Sequence, residues 1–468
     1  MIVKVRRIIQ VGVVVAALTL FGWLQTDATS AASPGPMLYQ PEPVAQPLDL
    51  EAPIATTDQV QGLASSLLTP ERTGAALGLA VFDLVTGEAI YQVDANQGHI
   101  PASTMKILTA TAALDTFGSQ ATLATEVLLS VVDQGQATVY LRAGGDVTLS
   151  PDQGQVGEIM GRAGLAELAT EAAVNLRSRG AGEVAVILDD TIFTGPTTLP
   201  DWGWWPGAPW AGPITAMAIN GGHDGAGFDD TSYSIDSALA AAQQFAALLG
   251  QAGQDDQLAL PTFEVAGPVT RGQTSGGAQV IARVESAPIG QLVAYMLEHS
   301  DNVLAEALGR VTAVELGLPG SFEGAGQAIV QVVGELGLPT TALVVMDASG
   351  LSPGSRVPPA TLAELLAAVA KPADLEGSAE LIGVLRGLAV AGLEGTLAGR
   401  LTEAPGAGNV RAKTGTLTGV AALAGIVQTA QGRELAFVLM ADQTSQVPYG
   451  LVRDSIDQFT SGLAALGG

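Results

Sequence analysis

The sequence contains no cysteine, which excludes disulfides, thiolate metal sites and cysteine nucleophiles. Its three histidines, His99, His223 and His299, lie far apart and no H-E-x-x-H pattern occurs, so a zinc peptidase is not expected. Basic residues number 20 against 46 acidic ones, giving a net charge of −26. That balance argues against binding to nucleic acid or to an anionic membrane surface, because both need a basic face.

Lysine is scarce, with only four copies in 468 residues: Lys4, Lys106, Lys371 and Lys413. Apolar residues make up 47% and charged residues 14%, so a large core can form and general disorder is excluded. The length corresponds to roughly three domains, or to one discontinuous domain that carries an insertion.

The first 32 residues have the composition of an export segment. Lys4, Arg6 and Arg7 precede an apolar run over residues 8–24, and small residues follow. This pattern is typical of a secretory signal peptide or, if uncleaved, of an N-terminal membrane anchor. Residues 33–56 contain six prolines and are expected to form an extended linker. The rest of the chain is therefore expected in the periplasm or the extracellular cell wall.

Ser103 and Lys106 are three positions apart in a segment with helical periodicity, residues 101–114. That spacing places both side chains on one helix face, within hydrogen-bonding reach. The helix macrodipole and burial in a cleft both lower the pKa of such a lysine. A neutral lysine beside a serine hydroxyl is a general base beside a nucleophile. The alternative interpretation of this spacing is a serine near a helix start followed by a lysine that is exposed to solvent.

Two further motifs follow. Ser300 and Asn302 lie at the break between two helical segments of residues 286–310, where an N-cap is the alternative interpretation. Lys413-Thr414-Gly415-Thr416 lies on the first of three antiparallel strands predicted within residues 409–442, and Gly415 would let a ligand approach the backbone closely. S-x-x-K, S-x-N and K-T-G each occur once, in this order. Shuffling would produce all three in roughly one sequence in a thousand.

Together these motifs resemble those of the penicillin-binding protein and serine β-lactamase superfamily. Four segments are similar to the low-molecular-mass D-Ala-D-Ala carboxypeptidase/endopeptidase family. They are PASTMK, SDN followed by AE, DASGLS at residues 347–352, and AKTGTLTGVAALAG. The interval of 197 residues between Ser103 and Ser300 also resembles that family, whereas β-lactamases keep it short. The resemblance covers nearly all of residues 55–468.

The resemblance implies an α+β fold: a transpeptidase-like (β-lactamase-like) domain with an antiparallel sheet and a helical lobe, carrying an inserted α/β region. Residues 57–128 and 285–468 are expected to form the catalytic domain, and residues 129–284 the insertion.

The resemblance also implies catalytic roles. Ser103 is the implied nucleophile and Lys106 its general base. Ser300 is implied to relay a proton to the leaving amine. Asn302 is implied to orient Lys106 and to hold the substrate amide.

The K-T-G-T stretch is implied to bind substrate. Lys413 supplies positive charge for a terminal carboxylate, and the hydroxyls of Thr414 and Thr416, which flank Gly415, bond to it. The N–H groups of Ser103 and Thr416 are implied to form the oxyanion hole. No cofactor and no metal are implied.

The expected insertion contains a tryptophan-rich segment, residues 201–220, with four of the five tryptophans. The favoured interpretation is the anchor of a loop docked on a neighbouring domain, and the alternative is a sugar or peptide platform. The acidic pairs Asp189-Asp190 and Asp229-Asp230 suggest a cation site only weakly, because such pairs are common in so acidic a chain.

We therefore expect an exported serine D-alanyl-D-alanine carboxypeptidase/endopeptidase that acts on peptidoglycan stem peptides through an acyl-enzyme and is acylated by β-lactams. One alternative is a β-lactamase or esterase with the same acylation chemistry. Another is a sensor that captures β-lactam or muropeptide without turnover, and a third is a scaffold whose insertion carries the biological role. The membrane would be reached only through the N-terminal segment.

Overall fold

A computed structural model of the protein describes residues 51–65, 67, 69–202, 210–224, 232–255, 260–371 and 380–467. The predicted signal segment, most of the predicted linker and Asp229-Asp230 lie outside the described residues. Across the described ranges, no helix is both long and apolar enough to cross a membrane.

The strands of these ranges belong to two separate sheets. They are β1 (Ala76–Asp83), β2 (Ala89–Val93), β3 (Ala124–Asp133), β4 (Gln136–Arg142), β5 (Glu183–Asp189), β6 (Glu264–Val265), β7 (Thr270–Arg271), β8 (Gln279–Glu285), β9 (Ala389–Val390), β10 (Val410–Leu417), β11 (Val420–Gln428) and β12 (Glu434–Asp442).

The helices of the same ranges pack around both sheets. They are α1 (Thr57–Ala64), α2 (Pro70–Thr73), α3 (Met105–Phe117), α4 (Leu165–Ser178), α5 (Ser237–Gly253), α6 (Ile289–His299), α7 (Asn302–Glu315), α8 (Phe322–Glu335), α9 (Pro359–Ala370), α10 (Ile382–Arg386) and α11 (Tyr449–Ala464).

The first sheet has the strand order β2-β1-β12-β11-β10-β9, with antiparallel neighbours throughout. One apolar cluster lies between this sheet and helices α3, α6 to α10, and a second lies between its other face and helices α1 and α11. Since both faces are covered, β11 and β12 are buried almost end to end, which explains their continuous apolar sequences. The three strands predicted within residues 409–442 are confirmed.

Helix α3 is the centre of the helical lobe, and it contacts α6, α7 and α8. Its residues from Met105 to Leu114 are all buried. A helix surrounded on every side needs small and apolar residues around its whole circumference, as MKILTATAAL has. The predicted helix over residues 101–114 is present, but its first turn, Ala102–Thr104, is a 3₁₀ turn.

The second sheet has the order β6-β5-β4-β3-β8, with β7 also pairing with β5, and helices α4 and α5 share its apolar cluster. The expected boundary between residues 128 and 129 falls inside β3. The whole of β3 belongs to this sheet, because Ala124 pairs with Glu285 and Leu128 pairs with Tyr140. The second sheet therefore spans residues 124–285. The expected α+β architecture, an antiparallel sheet with a helical lobe and an inserted α/β region, is confirmed.

The last residues of the predicted linker are not extended away from the body. Ala52 and Ala55 are buried, and Arg433 Nη1 donates to the Ala52 carbonyl at 3.2 Å. Thr56 then caps α1, with its side chain accepting from the Gln59 N–H. The folded body thus begins before residue 57, because these short apolar side chains complete the edge of its core.

Candidate active site

Ser103 lies in the 3₁₀ turn Ala102–Thr104 that leads into α3. Thr104 Oγ1 donates to the Pro101 carbonyl at 2.7 Å and closes the turn. Ala102 has a φ of 46°, a left-handed conformation that non-glycine residues adopt only where the surrounding structure imposes it. The backbone of the candidate nucleophile is therefore held in place before any substrate binds.

Lys106 is fully buried, and its Nζ makes three short contacts. It lies 3.0 Å from Ser103 Oγ, 2.6 Å from Asn302 Oδ1 and 2.8 Å from the Ser349 carbonyl oxygen. The amide and carbonyl oxygens can only accept, whereas a hydroxyl can donate. A neutral amine would therefore give its two N–H bonds to Asn302 and Ser349 and turn its lone pair toward the Ser103 hydroxyl.

The electrostatics favour this neutral form. Burial lowers the pKa of Lys106 from its ordinary 10.5 to about 8, against the opposing charges of Glu306, Asp347 and Asp301. Desolvation outweighs the three carboxylates because none of them contacts the ammonium directly. Lys106 thus has a pKa suited to a general base near neutral pH.

Glu306, on α7, is completely buried behind the lysine. Its carboxylate accepts from the N–H of Ser349 at 2.7 Å and from the N–H of Ala348 at 3.2 Å. Burial, and then the charge of Asp347, raises the pKa of Glu306 to about 7. By fixing the backbone at Ser349, Glu306 also fixes the carbonyl that accepts from Lys106.

Asp347 shapes the segment that follows, residues 347–352, which we call the 347–352 loop. It accepts from the N–H of Gly350 at 2.8 Å and from that of Ser352 at 2.6 Å. Burial raises the pKa of Asp347 even though these bonds oppose the shift. The loop therefore forms hydrogen bonds to two buried carboxylates, those of Asp347 and Glu306, and its Ser349 carbonyl accepts from Lys106.

Sequence reasoning gave Glu306 and Asp347 no role. Both lie in stretches that were noted only as points of resemblance, the AE after SDN and the DASGLS segment. The available signal was an acid within an otherwise apolar helical stretch, and an aspartate followed by Ser and Gly, which is typical of a side-chain-stabilised turn.

The three residues of the S-x-N motif occupy different structural positions. Ser300 ends α6 in a left-handed conformation with φ 61°, and Asp301 is the N-cap of α7. Asn302 donates from Nδ2 to the Trp210 carbonyl and presents Oδ1 to Lys106. The structure therefore joins Asn302 to Ser103 through Lys106. Among the described residues, Ser300 makes no hydrogen bond to either of them.

Lys413 is buried on β10, and its Nζ donates to the Thr414 carbonyl at 3.0 Å. Burial, followed by the charge of Lys106, lowers the pKa of Lys413 well below its ordinary value. An ammonium group that is buried with one hydrogen bond is strongly stabilised when an anionic group pairs with it. Thr414 Oγ1 donates to Thr396 Oγ1 at 3.1 Å.

Gly415 has a packing role that the sequence did not indicate. A Cβ at this position would lie 2.7 Å from the Pro101 carbonyl oxygen and 3.2 Å from the Ala102 Cβ. The missing side chain therefore lets β10 pack against the turn that holds Ser103. The protein's own backbone thus makes one close approach to Gly415, and the close approach of a ligand there stays a prediction.

Thr416 lies where β10 leaves one edge open. Val410 accepts from Ala391 on the β9 side, and β9 pairs with β10 no further than Ala412. Because the backbone groups of alternate residues point to the same edge, the Thr416 N–H points to the edge that β9 leaves free. Its hydroxyl lies 2.8 Å from Tyr449 Oη.

A cleft of about 670 Å³ lies beside Thr416. It has one acidic side chain and no basic side chain among its lining residues. These are Asp201, Trp202, Trp210, Leu351, Pro353, Thr416, Leu417, Thr418, Gly419, Thr444, Ser445, Val447 and Tyr449.

The tryptophan-rich segment reaches the same region. Trp202 Nε1 donates to Asp347 Oδ2 at 2.7 Å, and its ring packs edge-on against Phe322 with centroids 5.1 Å apart. Trp202 is thus a docking anchor, as the favoured interpretation has it. Trp210 is instead 63% exposed and lines the cleft, and residues 203–209 lie outside the described ranges.

The acidic pair in the second sheet is engaged in hydrogen bonds. Asp189 accepts from Thr191 and Thr274, and Asp190 pairs with Arg271 at 2.9 Å. In the part of the chain that the structure describes, no group of three or more His, Asp or Glu side chains could hold a metal ion.

Comparison with known proteins places this geometry in context. A family model, Peptidase_S13, described as the D-Ala-D-Ala carboxypeptidase 3 (S13) family, matches residues 59–226 and 230–463. Carboxypeptidase DacB of Mycolicibacterium smegmatis is 35% identical to this chain, over 97% of the chain and 94% of the relative.

The fold is also similar to solved structures. Penicillin binding protein 4 (dacB) from Haemophilus influenzae superimposes with a TM-score of 0.68 and 23% identity, over 86% of this chain and 98% of that one. A second structure of that protein, complexed with a β-lactam, has a TM-score of 0.62 at the same identity and coverage.

Proposed function

Because this chain belongs to the D-Ala-D-Ala carboxypeptidase 3 (S13) family, and is a serine-type D-Ala-D-Ala carboxypeptidase, we propose that Ser103 is its nucleophile and Lys106 its general base. The observation that carries this assignment is the position of Lys106 Nζ, 3.0 Å from Ser103 Oγ and 2.6 Å from Asn302 Oδ1. The proposed substrates are the stem peptides of peptidoglycan.

Acylation begins when the Ser103 hydroxyl gives its proton to the lone pair of Lys106. Oγ then attacks the carbonyl carbon of the penultimate D-Ala. As the C–N bond breaks, the leaving amine takes a proton relayed from Lys106 by the Ser300 hydroxyl. The product is an ester of Ser103 and a free D-Ala. Water gives a proton to Lys106 and attacks the ester carbonyl. The bond from the acyl carbon to Oγ then breaks, Oγ takes the proton back from Lys106, and the shortened peptide leaves as a carboxylate. Endopeptidase action on a cross-link to a D-residue follows the same steps with a larger leaving amine.

The negative charge that develops on the carbonyl oxygen needs fixed donors. The N–H of Ser103 lies at the start of α3, and the N–H of Thr416 points to the open edge of β10. We assign these two groups to the oxyanion hole. Each such donor is worth roughly 3–4 kcal/mol in the transition state.

Substrate recognition is assigned to Lys413. Its buried ammonium has one hydrogen bond and lies close enough to Lys106 for that charge to lower its pKa. A C-terminal carboxylate would compensate the buried charge and would bring the penultimate carbonyl to Ser103. Hydrogen bonds to the same carboxylate are assigned to the hydroxyls of Thr414 and Thr416.

The remaining assignments follow the sequence. Residues 1–32 are proposed to direct export to the periplasm or the cell wall, as a cleaved signal or as an anchor. Residues 57–123 with 286–468 are proposed to form the catalytic domain, and the second sheet of residues 124–285 the insertion. The β-lactam ring mimics the scissile amide beside a carboxylate, so β-lactams are proposed to acylate Ser103.

Intact-mass measurement tests the proposal. Residues 33–468 are mixed with excess benzylpenicillin and followed over time, together with Ser103→Ala and with Ser178→Ala, a change of an exposed serine at the end of α4. We expect one lasting adduct in the wild type and in Ser178→Ala, none in Ser103→Ala, and release of D-Ala from a D-Ala-D-Ala peptide.

Other outcomes identify the alternatives. Consumption of the drug with no lasting adduct would indicate a β-lactamase. A lasting adduct without any D-Ala release would indicate a sensor. Turnover by Ser103→Ala would show that the nucleophile is another residue.

A further inference from the structure

Trp202 is one of the residues through which the inserted region contacts the reaction centre. It ends the short 3₁₀ turn Pro200–Trp202, which lies between β5 and α5 in the chain. Its indole N–H donates to Asp347 Oδ2 at 2.7 Å across 145 residues of sequence. The T-shaped contact with Phe322, with 81° between the ring planes, fixes the orientation of the indole.

Asp347 connects this bond to the catalytic lysine. It holds the 347–352 loop through the N–H groups of Gly350 and Ser352, and the Ser349 carbonyl between them accepts from Lys106. Asp347 therefore connects Trp202 to the loop whose carbonyl accepts from Lys106, and a displacement of Asp347 moves that acceptor. The same turn contributes a second bond, from Ser352 Oγ to Asp201.

We propose that Trp202 is a positioning residue of the hydrolysis, which acts through Asp347 and the 347–352 loop to hold the Ser349 carbonyl against Lys106. The inference rests on the proposed role of Lys106 as general base. It makes the inserted region a part of the catalytic centre rather than an accessory to it.

The bond matters because Asp347 is fully buried. A buried carboxylate stays ionised only if donors compensate the lost water. Among the effects that lower the pKa of Asp347 and oppose its burial, the hydrogen bond from Trp202 comes first. Without that bond, protonation of Asp347 becomes easier, and a protonated carboxyl accepts less strongly from Gly350 and Ser352. The loop then loosens.

Loss of the bond also changes the pKa of Lys106. The charge of Asp347 raises the pKa of Lys106. Above pH 7, where Glu306 with its pKa of about 7 is already ionised, protonation of Asp347 removes a charge that raises the pKa of Lys106. That pKa then falls, and the neutral base persists to lower pH. The plateau rate of acylation should therefore fall while the acidic limb of its pH profile moves to lower pH. A general loosening of the fold would lower the rate without moving the limb in that direction.

The test uses the full exported chain with Trp202→Phe, which keeps a ring against Phe322 and removes only the donor. Tyr140→Phe is the matched control, since Tyr140 is a half-buried aromatic residue of β4 whose hydroxyl makes no hydrogen bond among the described residues. The acylation rate with benzylpenicillin is measured from pH 6 to 10, together with kcat and KM on a D-Ala-D-Ala peptide.

We expect Trp202→Phe to lower the plateau acylation rate and kcat about 10-fold, the lower end of what a hydrogen bond to a charged group is worth, with KM nearly unchanged. Tyr140→Phe should match the wild type in both rate and pH profile. An unchanged rate and limb in Trp202→Phe, or an equal loss in Tyr140→Phe, would overturn the inference.

A double-mutant cycle with Asp347→Asn supplies the second measurement. If Trp202 acts through Asp347, the double variant should be no slower than Asp347→Asn alone. Additive losses would refute the coupling even if Trp202→Phe is poorly folded. If the wild type forms no acyl adduct at all, the proposed function fails; if it forms one and Trp202→Phe behaves like wild type, only this inference fails.

Discussion

Replacement of Glu306 by glutamine tests how a buried acid can serve a catalytic base. The two residues are linked through one peptide group, since Glu306 accepts from the Ser349 N–H and Lys106 donates to the Ser349 carbonyl. The substitution keeps the size of the side chain, removes its charge, and leaves one backbone N–H facing an amide NH₂ group.

The magnitude follows from the pKa of the lysine. At a pKa of about 8, about 9% of Lys106 is neutral at pH 7, whereas a lysine at 10.5 would be neutral in about 0.03% of molecules. Burial thus enriches the base about 300-fold. Among the charges that raise the pKa of Lys106, that of Glu306 comes first. Its removal lowers this pKa further, and a fully neutral lysine at pH 7 would speed acylation at most about 11-fold.

The lost acceptor acts in the opposite direction. A hydrogen bond to a buried charged group contributes roughly 1–3 kcal/mol. Because the raised pKa of Glu306 means that its buried charge also costs stability, the free energy of unfolding of Glu306→Gln should fall by at most about that amount. The plateau rate at high pH should fall as well, because the Ser349 carbonyl is held less firmly. The rate constant is measured by stopped flow with a fluorescent penicillin from pH 6 to 10, and unfolding by urea titration.

Glu315→Gln is the control, because Glu315 is an exposed residue at the end of the same helix. It should leave the pH profile unchanged. An acidic limb of Glu306→Gln that stays in place, or that moves to higher pH, would refute the electrostatic reasoning.

Three other substitutions test separate parts of the structure. Lys413→Ala should raise KM at least about 30-fold for a peptide with a free C-terminal carboxylate and leave KM for the peptide amide nearly unchanged. In the wild type, KM for the free carboxylate should rise as pH increases through the lowered pKa of Lys413. Gly415→Ala places a methyl group 2.7 Å from the Pro101 carbonyl oxygen, so acylation by penicillin should fall at least about 100-fold while circular dichroism shows a folded protein. Arg433→Met leaves Asp83 buried without its bidentate partner, and urea unfolding should show a loss of about 3–5 kcal/mol. Because the pKa of Asp83 is lowered, the pair stabilises above the unfolded pKa near 3.8 and loses this effect as pH falls through the lower folded value.

The residues that sequence reasoning found are those whose spacing is local or whose motif is short. Ser103 and Lys106 share one helix face, so three positions of sequence are enough to place them together. The predicted strand around Lys413 was likewise visible from its apolar neighbours. The sequence around Asn302 fitted either a catalytic motif or a helix N-cap. In the structure Asp301 is the N-cap, and Asn302 contacts Lys106.

The residues that sequence reasoning missed act over long distances along the chain. Ser349 lies 243 residues from Lys106, and Asp347 lies 145 residues from Trp202. Nothing in a local pattern specifies which backbone carbonyl will accept from a lysine. The packing of Gly415 could not be predicted for a related reason, since the atom nearest to its missing side chain belongs to a turn more than 300 residues earlier.

Lys106 and Lys413 need different protonation states in one active site. Lys106 must be neutral to take a proton, and Lys413 must be charged to bind a carboxylate. Burial lowers the pKa of both, and the charge of Lys106 lowers that of Lys413 further. Coulomb interactions are reciprocal, so the pair holds one proton far more readily than two. A substrate carboxylate removes this conflict, because the ion pair it forms with Lys413 has no net charge and so does not perturb Lys106. Recognition and base catalysis can then operate at the same pH, which two lysines of ordinary pKa could not do.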